Sequence, residues 1–234
     1  MSDKTNEIIN NALKEGRVNL LEPEAKAICA QYGITTPEFD VASNAENAVE
    51  SAKKIGYPVV MKIVSQDILH KTDAGGVKVG LENDAEVKSG FEEILQNAKK
   101  YKKDANIIGV LVQKMAPSST EVIIGALKDP QFGQTLMFGI GGIFVEVLKD
   151  VTFRIAPIVE KDAKEMIGEI KAYPILKGYR NTPPADEGAI VNILLNVSKL
   201  IMEHPEINQM DLNPIMVYEN GASVVDARII LEKP

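Results

Sequence analysis

The stretch YPVVMKIVSQDILHKTDAGGVKVGL, residues 57–81, contains two strand-like runs joined by a polar loop. The first run, residues 59–64, is apolar and mainly β-branched, which is typical of a buried strand. Lys62 lies within it and points to the same side as Val60. Because a buried ammonium group is costly unless an anion meets it, this lysine is a candidate phosphate ligand. The loop carries His70 and returns through a glycine pair, so the unit can hold a phosphate near both side chains.

The composition restricts the class of protein before any motif is considered. A chain of 234 residues with a net charge of −7 suits one large or two small domains and does not favour a nucleic-acid-binding surface. The single cysteine, Cys29, excludes a disulfide framework and a cysteine-based zinc site. The polar N-terminal stretch lacks a signal-peptide core, and no apolar run approaches membrane-spanning length. We therefore expect a soluble, cytoplasmic protein that binds neither nucleic acid nor membrane.

The remaining pattern predicts an α+β chain in two halves. Helical spacing and caps predict helices at residues 4–15, 23–33, 43–56 and 84–101, with Ser43 and Asp84 as N-terminal caps. Further along, strands are predicted at 121–127, 135–138 and 143–148, helices at 161–172 and 186–203, and a hairpin at 207–229. From Thr120 short apolar strands alternate with turns, and the two halves divide near residues 115–117. We therefore expect an N-terminal helical segment at 1–21, a first subdomain at 22–115 and a second at 116–234.

The histidine of the opening stretch, His70, admits two interpretations. A neutral imidazole with a pKa of about 6.5 is a competent nucleophile at neutral pH, so His70 beside Lys62 suits phosphoryl transfer. The alternative is an exposed loop histidine and a salt-bridged lysine. Composition alone favours that alternative.

The terminal hairpin carries a candidate metal site. Asp211 and Asn213 lie two residues apart and face the same side of a strand. If residues 218–221 form a four-residue loop, Asn213 falls opposite Asp226, which places two carboxylates and an amide oxygen on one face. Such hard oxygen ligands suit Mg²⁺. The alternative, which spacing favours about equally, is that Asp211 caps a turn while Asp226 pairs with Arg228 or a lysine.

Three further features have weaker patterns. Residues 110–115, VLVQKM, form a strand that becomes polar at the subdomain boundary, where ligands often bind; the alternative is a strand leaving the core. Residues 139–142, GIGG, predict a turn whose N–H groups can approach an anion, but a dinucleotide fingerprint would need a following helix. An anion partner is expected for Arg154 and for Arg180, with a structural ion pair as the alternative for each.

Together these segments resemble the ATP-grasp domain of the ADP-forming acetyl-CoA synthetase β subunits. That family lies within the superfamily of NDP-forming acyl-CoA ligases, which includes succinyl-CoA synthetase. The resemblance covers residues 20–232, and its most specific blocks are residues 56–77, 110–115, 121–125, 138–157, 176–181, 211–214 and 224–228. It implies an α+β, ATP-grasp fold with two α+β subdomains and the nucleotide held between them.

The resemblance also implies an activity and a partner. In this family an acyl-CoA, ADP and phosphate are converted reversibly to the free acid, CoA and ATP. A CoA-binding α subunit completes the enzyme, and an α2β2 heterotetramer is expected. His70 lies where the acetyl-CoA branch has a histidine that relays the phosphoryl group. The implied substrate is ATP or ADP, and the implied cofactor is Mg²⁺.

By the same resemblance each candidate residue takes a role. His70 is the candidate catalytic residue. Lys62 binds the nucleotide phosphates, the hinge of residues 113–115 faces the adenine, Glu121 contacts the ribose, and a glycine turn meets the incoming phosphohistidine. The candidate nucleotide-site residues are Lys62, Gln113, Lys114, Met115, Glu121, Gly141, Gly142 and Arg154. The candidate metal ligands are Asp211, Asn213 and Asp226.

Two other functions stay open at this point. A partner-independent ATP-grasp ligase that joins a carboxylate to an amine would form an acyl phosphate directly and would not need His70. A non-catalytic nucleotide-sensing subunit would keep the fold and bind ATP without transferring a phosphoryl group.

Overall fold

The computed structural model describes residues 2–142, 149–178 and 183–233, and the chain divides into two compact units. The larger unit contains residues 1–36 and 117–234, and the smaller unit contains residues 37–116. The larger unit begins with helices α1 (Ser2–Lys14) and α2 (Glu22–Gln31).

The first boundary differs from the expected division at residue 22. Ala25, Ile28 and Cys29 of α2 are buried in the apolar core of the larger unit, together with Ile9 of α1. Burial of this helix face assigns residues 22–36 to the larger unit, and the sequence pattern could not reveal against which sheet the helix packs.

The smaller unit, all of which is described, is a four-stranded antiparallel sheet. Its strands are β1 (Phe39–Ala42), β2 (Val59–Ser65), β3 (Val77–Leu81) and β4 (Ile107–Lys114), in the order β1-β4-β2-β3, and its helices are α3 (Ala45–Ile55) and α4 (Asp84–Tyr101). Met61 and Ile63 of β2 and Val110 and Val112 of β4 share one apolar core with both helices. Because strand side chains alternate, the residues between them point to the opposite face.

Within the described residues, the larger unit contains a six-stranded antiparallel sheet. Its strands are β5 (Thr120–Asp129), β6 (Gly133–Ile140), β7 (Val151–Ile155), β8 (Ile207–Val217), β9 (Ala222–Val224) and β10 (Ala227–Leu231). They are arranged β10-β8-β5-β6-β7, and β9 pairs with β8. Helices α5 (Glu160–Glu169), α6 (Tyr173–Leu176) and α7 (Glu187–Glu203) complete this unit.

The two faces of the larger sheet differ. Val122, Leu136 and Leu212 lie on the side that packs against α5 and α7, which we call the helix-covered face. The residues that alternate with them, such as Glu121 and Asp211, lie on the other side, which we call the outer face. Candidate residues can therefore be sorted by the face that they occupy.

Two predicted helix caps are wrong by one residue. Asn44, and not Ser43, caps α3, where its side-chain oxygen accepts a backbone amide at 2.8 Å. Asn83, and not Asp84, caps α4 in the same way at 3.0 Å. In both places two good cap formers are adjacent, and the backbone angles decide which one is used.

The predicted glycine turn is shorter than expected. Strand β6 continues through Gly139 and Ile140, so the turn begins at Gly141. The predicted strand at 143–148 lies outside the described residues. In the part of the chain that is described, no helix combines the length and the apolarity that crossing a membrane requires.

Candidate functional site

Lys62 and Gln113 share one face of the smaller sheet. Gln113 pairs directly with Val60, and Lys62 pairs with Leu111. Both polar residues alternate with core residues, so they point away from α3 and α4, and yet Lys62 is only 5% exposed and Gln113 is fully buried. The predicted direction of the Lys62 side chain is therefore confirmed.

Strand β2 sets the order of the candidate groups in the smaller unit. Gln113 lies beside Val60 near the start of the strand, Lys62 is near its middle, and Ser65 at its end leads into the His70 loop. At roughly 3.3 Å per residue, Val60 and Ser65 are roughly 16 Å apart. An elongated ligand that lies along this strand would meet a polar amide, then an ammonium group, then the histidine loop.

The loop between β2 and β3 presents His70 at its exposed tip. Residues 70–76 form a compact helical turn, in which the Ala74 amide donates to the His70 carbonyl at 3.2 Å and the Gly76 amide donates to the Lys71 carbonyl at 2.8 Å. The side chain of Leu69 is also exposed. The imidazole is thus accessible to a reactant while its backbone is held in a turn.

Lys114 and Met115 form hydrogen bonds to backbone carbonyls of the smaller unit. The Lys114 ammonium group donates to the carbonyls of Gly56 and Tyr57, the two residues that follow α3, at 2.8 and 2.9 Å. The backbone amides of Lys114 and Met115 donate to the carbonyls of Glu38 and Pro58. These contacts hold the Lys114 side chain within the smaller unit, so its expected place at the nucleotide stays a prediction, and Gln113 is the better candidate for ring recognition.

The predicted register of the terminal hairpin is confirmed. Residues 218–221 form a four-residue loop between β8 and β9, and the Asn213 amide donates to the Asp226 carbonyl at 3.2 Å. Leu212 and Ala227, which flank these two residues, are buried on the helix-covered face. Asn213 and Asp226 therefore lie opposite each other on the outer face.

Asp211 lies two residues before Asn213 on the same face. Burial raises the pKa of the Asp211 carboxyl, and the nearby negative charge of Asp226 raises it further, while Arg228 lowers it. Arg228 is the direct cross-strand partner of Asp211, whereas the alternative drawn from the sequence paired Arg228 with Asp226. Burial is the larger of the two effects that raise this pKa, and the charge of Asp226 adds to it.

The donor set of this hairpin fits Mg²⁺. It offers two carboxylates and one amide oxygen, which are the hard oxygen ligands that this ion prefers. A cation beside Asp211 and Asp226 would also relieve the repulsion between them. Among the described residues there is no group of three or more His, Cys, Asp and Glu side chains suited to a metal, and this candidate site contains only two carboxylates beside the Asn213 amide.

Glu121, Gly141 and Gly142 lie together at one end of the larger sheet. The Gly141 amide donates to the Glu121 carbonyl at 2.8 Å, and a Cβ at Gly141 would be 3.1 Å from the Glu121 Cβ. This close approach of two strands favours glycine. The three residues line a cavity of about 970 Å³, and Tyr218 and Asn220 of the hairpin loop line it too. Tyr218 and Asn220 were not among the residues predicted from the sequence, where only a polar loop next to the candidate metal ligands pointed to them.

Arg154 does not lie with the other candidates. It pairs with Leu136 and points to the helix-covered face, where its guanidinium donates to Glu169 of α5 at 2.6 Å. Glu169 is the main reason that the pKa of Arg154 is raised. The structure therefore favours the structural ion pair, and the nucleotide contact expected for Arg154 stays untested. Arg180 lies outside the described residues.

The structure thus gathers the candidates into two groups, one in each unit. Lys62, Gln113 and His70 follow β2 of the smaller unit. The outer face of the larger sheet carries the acidic hairpin and Glu121.

A family model and two known proteins match nearly the whole chain. A family model described as an ATP-grasp domain matches residues 11–231. The β subunit of ADP-forming acetate–CoA ligase I from Pyrococcus furiosus is 55% identical over 228 residues, which cover 97% of this chain and 98% of that subunit. The ADP-forming acetate–CoA ligase I from Archaeoglobus fulgidus is 49% identical over 230 residues, which cover 98% of this chain but 33% of that protein.

A solved structure is similar over the same range. It is the dinucleotide-forming acetyl-coenzyme A synthetase 1 of Candidatus Korarchaeum cryptofilum, in complex with coenzyme A and Mg-AMPPCP. The TM-score is 0.87 with 45% sequence identity, and the match covers 97% of this chain and 100% of the other. In that complex a phosphohistidine segment points towards the nucleotide-binding site.

Proposed function

Because the chain belongs to the ATP-grasp family, we propose that it is the nucleotide-binding β subunit of an ADP-forming acetate–CoA ligase. The 55% identity to a β subunit, over 98% of that subunit, supports this function. The overall reaction converts acetyl-CoA, ADP and phosphate to acetate, CoA and ATP, and it is reversible. This chain's share is to pass a phosphoryl group between a donor on its partner and the nucleotide.

The observation that carries the proposal is the order of groups along β2. Lys62 is buried in a strand whose far end leads directly to the exposed His70. Phosphoryl transfer requires alignment and charge neutralisation more than covalent assistance. A nucleotide whose phosphates meet Lys62 would extend towards the histidine loop, which suits a handover at that end of the strand.

His70 acts as the relay. A ring nitrogen of the neutral imidazole attacks the phosphorus of the donor phosphohistidine; an N–P bond forms and the donor's N–P bond breaks. A terminal phosphate oxygen of ADP then attacks the same phosphorus, and the His70 N–P bond breaks to give ATP and free imidazole. The positive charge of Lys62 stabilises the negative charge of the nucleotide phosphates during this step. No oxidant or reductant is involved.

The acidic hairpin would hold the metal. Asp211, Asn213 and Asp226 would bind Mg²⁺, which neutralises phosphate charge when bound with the nucleotide. These side chains fix the position of the phosphates relative to the larger unit. Glu121 and Gly141 border the adjoining cavity, where the ribose and the incoming donor are proposed to lie.

A CoA-binding α subunit supplies the rest of the enzyme. The Archaeoglobus relative contains the equivalent of this chain in about one third of its length, which leaves room for the CoA-binding part in the same polypeptide. Here that part is proposed to be a separate subunit in an α2β2 heterotetramer, and the cytoplasmic location stays a prediction. Co-purification followed by mass measurement of the intact complex tests the stoichiometry.

Incubation with ATP labelled at the γ-phosphate tests the relay. The purified chain with Mg²⁺ should acquire acid-labile, base-stable phosphate, because the second step is reversible. His70→Asn should remove the label, while Thr72→Ala, an exposed position in the same loop, should keep it. Both variants should bind ATP normally by calorimetry.

Three results would contradict this function. A wild-type chain that takes no label even with its α subunit would exclude the relay and leave a nucleotide-sensing role. Full labelling of His70→Asn would show that His70 is not the residue that carries the phosphoryl group. Turnover of a carboxylic acid and an amine by the isolated chain, unchanged in His70→Asn, would instead support the partner-independent ligase.

A further inference from the structure

The loop that carries His70 is tied down at its entry. Asp67 accepts the backbone amide of Asn106 at 2.7 Å and forms an ion pair with Lys102. Ser65 donates from its hydroxyl to the Asn106 carbonyl at 2.7 Å. The Lys102 ion pair is the main reason that the pKa of Asp67 lies below its usual value, and the Asn106 amide is the second. The residues that precede His70 are thus bound to the turn between α4 and β4.

The exit of the loop is tied down by a different residue. Asn97 of α4 donates from its side-chain amide to the Gly75 carbonyl at 3.0 Å. Gly75 has a φ of +61°, and a Cβ there would lie 2.8 Å from the Asn97 amide nitrogen. A Cβ at Gly76 would lie 2.5 Å from a methyl group of Ile63. The glycine pair therefore lets the chain fit closely between α4 and β2.

Two apolar side chains mark the inner limits of these attachments. Ile68 and Ala74 are 3% and 5% exposed and belong to the core of the smaller unit. Between them only residues 69–73 lie outside the core, and this segment contains His70. Movement confined to this segment leaves Ile68 and Ala74 buried, whereas movement of the whole loop would expose Ile68 and break the Asp67 and Asn97 contacts.

We propose that Asp67 and Asn97 are positioning residues for phosphoryl transfer, because they confine the movement of the histidine loop to residues 69–73. This inference rests on the proposed function. His70 is two residues beyond Ile68, so its Cα stays within roughly 7 Å of the Ile68 Cα. The two anchors thereby limit the volume that the imidazole samples and hold it near the geometry that transfer needs.

Substitutions at Asp67 and at Asn97 test the two anchors separately. Asn97→Asp replaces the donor that meets the Gly75 carbonyl with an acceptor. Asp67→Ala removes both entry contacts, and Asp67→Asn keeps an oxygen for the Asn106 amide but loses the charge that pairs with Lys102. Gln96→Ala, an exposed neighbour on α4, is the control. The measurement is the rate constant of His70 labelling at saturating labelled ATP and Mg²⁺, alongside the ATP dissociation constant by calorimetry.

A positioning role predicts separate effects on rate and affinity. Asn97→Asp and Asp67→Ala should lower the labelling rate constant about tenfold or more while the ATP dissociation constant changes by less than about twofold, since small misplacements of a reacting group are costly. Asp67→Asn should recover part of the rate, and Gln96→Ala should match wild type. Wild-type rates in both anchor variants, or equal losses of rate and affinity, would overturn the proposal.

Hydrogen exchange tests the confinement without any substitution. The Asn106 amide, which donates to Asp67, should stay equally protected with and without ATP and Mg²⁺. Loss of its protection on adding ATP would show that the entry anchor opens, and would overturn the proposal even if Asn97→Asp fails to fold. If wild type takes label but the anchor variants label normally, the relay stands and only the positioning role fails. If wild type takes no label, both fail.

Discussion

Asn213 and Asp226 face each other across the terminal hairpin, where the Asn213 amide donates to the Asp226 carbonyl at 3.2 Å. That backbone contact fixes the separation of the two side chains on the outer face. It requires no metal, so the scaffold of the proposed magnesium site is formed by the fold itself. Loss of one ligand should therefore impair metal binding while the hairpin remains.

The first prediction concerns that ligand. Asp226→Ala should weaken Mg²⁺-dependent ATP binding about 100-fold, since even outer-shell partners of a metal are worth roughly 10- to 100-fold in affinity. The measurement is calorimetric titration of ATP at several Mg²⁺ concentrations, with circular dichroism to check the fold. Asp104→Asn, an exposed acid of the smaller unit, is the control for net charge. An unchanged Mg²⁺ dependence in Asp226→Ala would show that the hairpin is not the metal site.

The second prediction separates two lysines of one sheet. Lys62→Met should raise the ATP dissociation constant roughly 10- to 100-fold, because a hydrogen bond to a charged group is worth roughly 1.5–3 kcal/mol. Lys114→Met should instead lower the free energy of unfolding by about 1–3 kcal/mol, because the carbonyls of Gly56 and Tyr57 lose their donor. Calorimetry and urea denaturation of both variants check this. Reversed effects would exchange the roles of the two residues.

Much of this site could be predicted from the sequence because strand geometry is local. Alternation along β2 is sufficient to give the direction of Lys62, and a loop of fixed length is sufficient to place Asn213 opposite Asp226. The α+β ATP-grasp fold was predicted from blocks of sequence and is confirmed by the matched family model and a TM-score of 0.87.

The settings of Lys114 and Arg154 depend on contacts that are distant in sequence. Lys114 meets carbonyls 57 and 58 residues away, and no pattern around it indicates that pairing. Arg154 is flanked by Phe153 and Ile155, which suggests an apolar environment, but those neighbours are 56% and 54% exposed and the arginine faces a helix. Apolar neighbours in the sequence therefore do not show that Arg154 is buried, because the order of strands in the sheet decides which face the helices cover. Asp67 and Asn97 went unnoticed for the same reason.

The third prediction follows from the position of Arg154. Arg154→Met should leave the ATP dissociation constant and the His70 labelling rate unchanged, because the guanidinium points to the helix-covered face. The loss of the ion pair with Glu169 should lower the melting temperature of Arg154→Met only slightly, since exposed ion pairs contribute little to stability. Glu169→Gln, which breaks the same pair from the other side, should have the same small effect. A large loss of ATP affinity in Arg154→Met alone would restore the nucleotide contact expected from the sequence.

The fourth prediction concerns pH and stability. Asp186 caps α7 by accepting the Ala189 amide at 2.9 Å, and it accepts the Gly221 amide of the hairpin loop at 2.7 Å. Its pKa is lowered first by the Gly221 contact and then by the Ala189 contact. A carboxylate with a depressed pKa in the folded state stabilises the protein above its unfolded pKa of about 3.9, and this stabilisation is lost as the pH falls through the folded value.

Removal of the Asp186 carboxylate should therefore lower the free energy of unfolding mainly near pH 7, where the carboxylate is ionised. Asp186→Asn keeps an acceptor but cannot ionise, so it should be less stable than wild type at pH 7, and the difference should shrink below about pH 4. Asp186→Ala should lose about 1–2 kcal/mol at pH 7, because the helix cap and the link to the hairpin loop are both removed. Urea denaturation of the three proteins between pH 3 and 7, roughly the range over which a carboxyl titrates, checks this. A difference between wild type and Asp186→Asn that does not change with pH would mean that the ionised form of Asp186 is not favoured by folding.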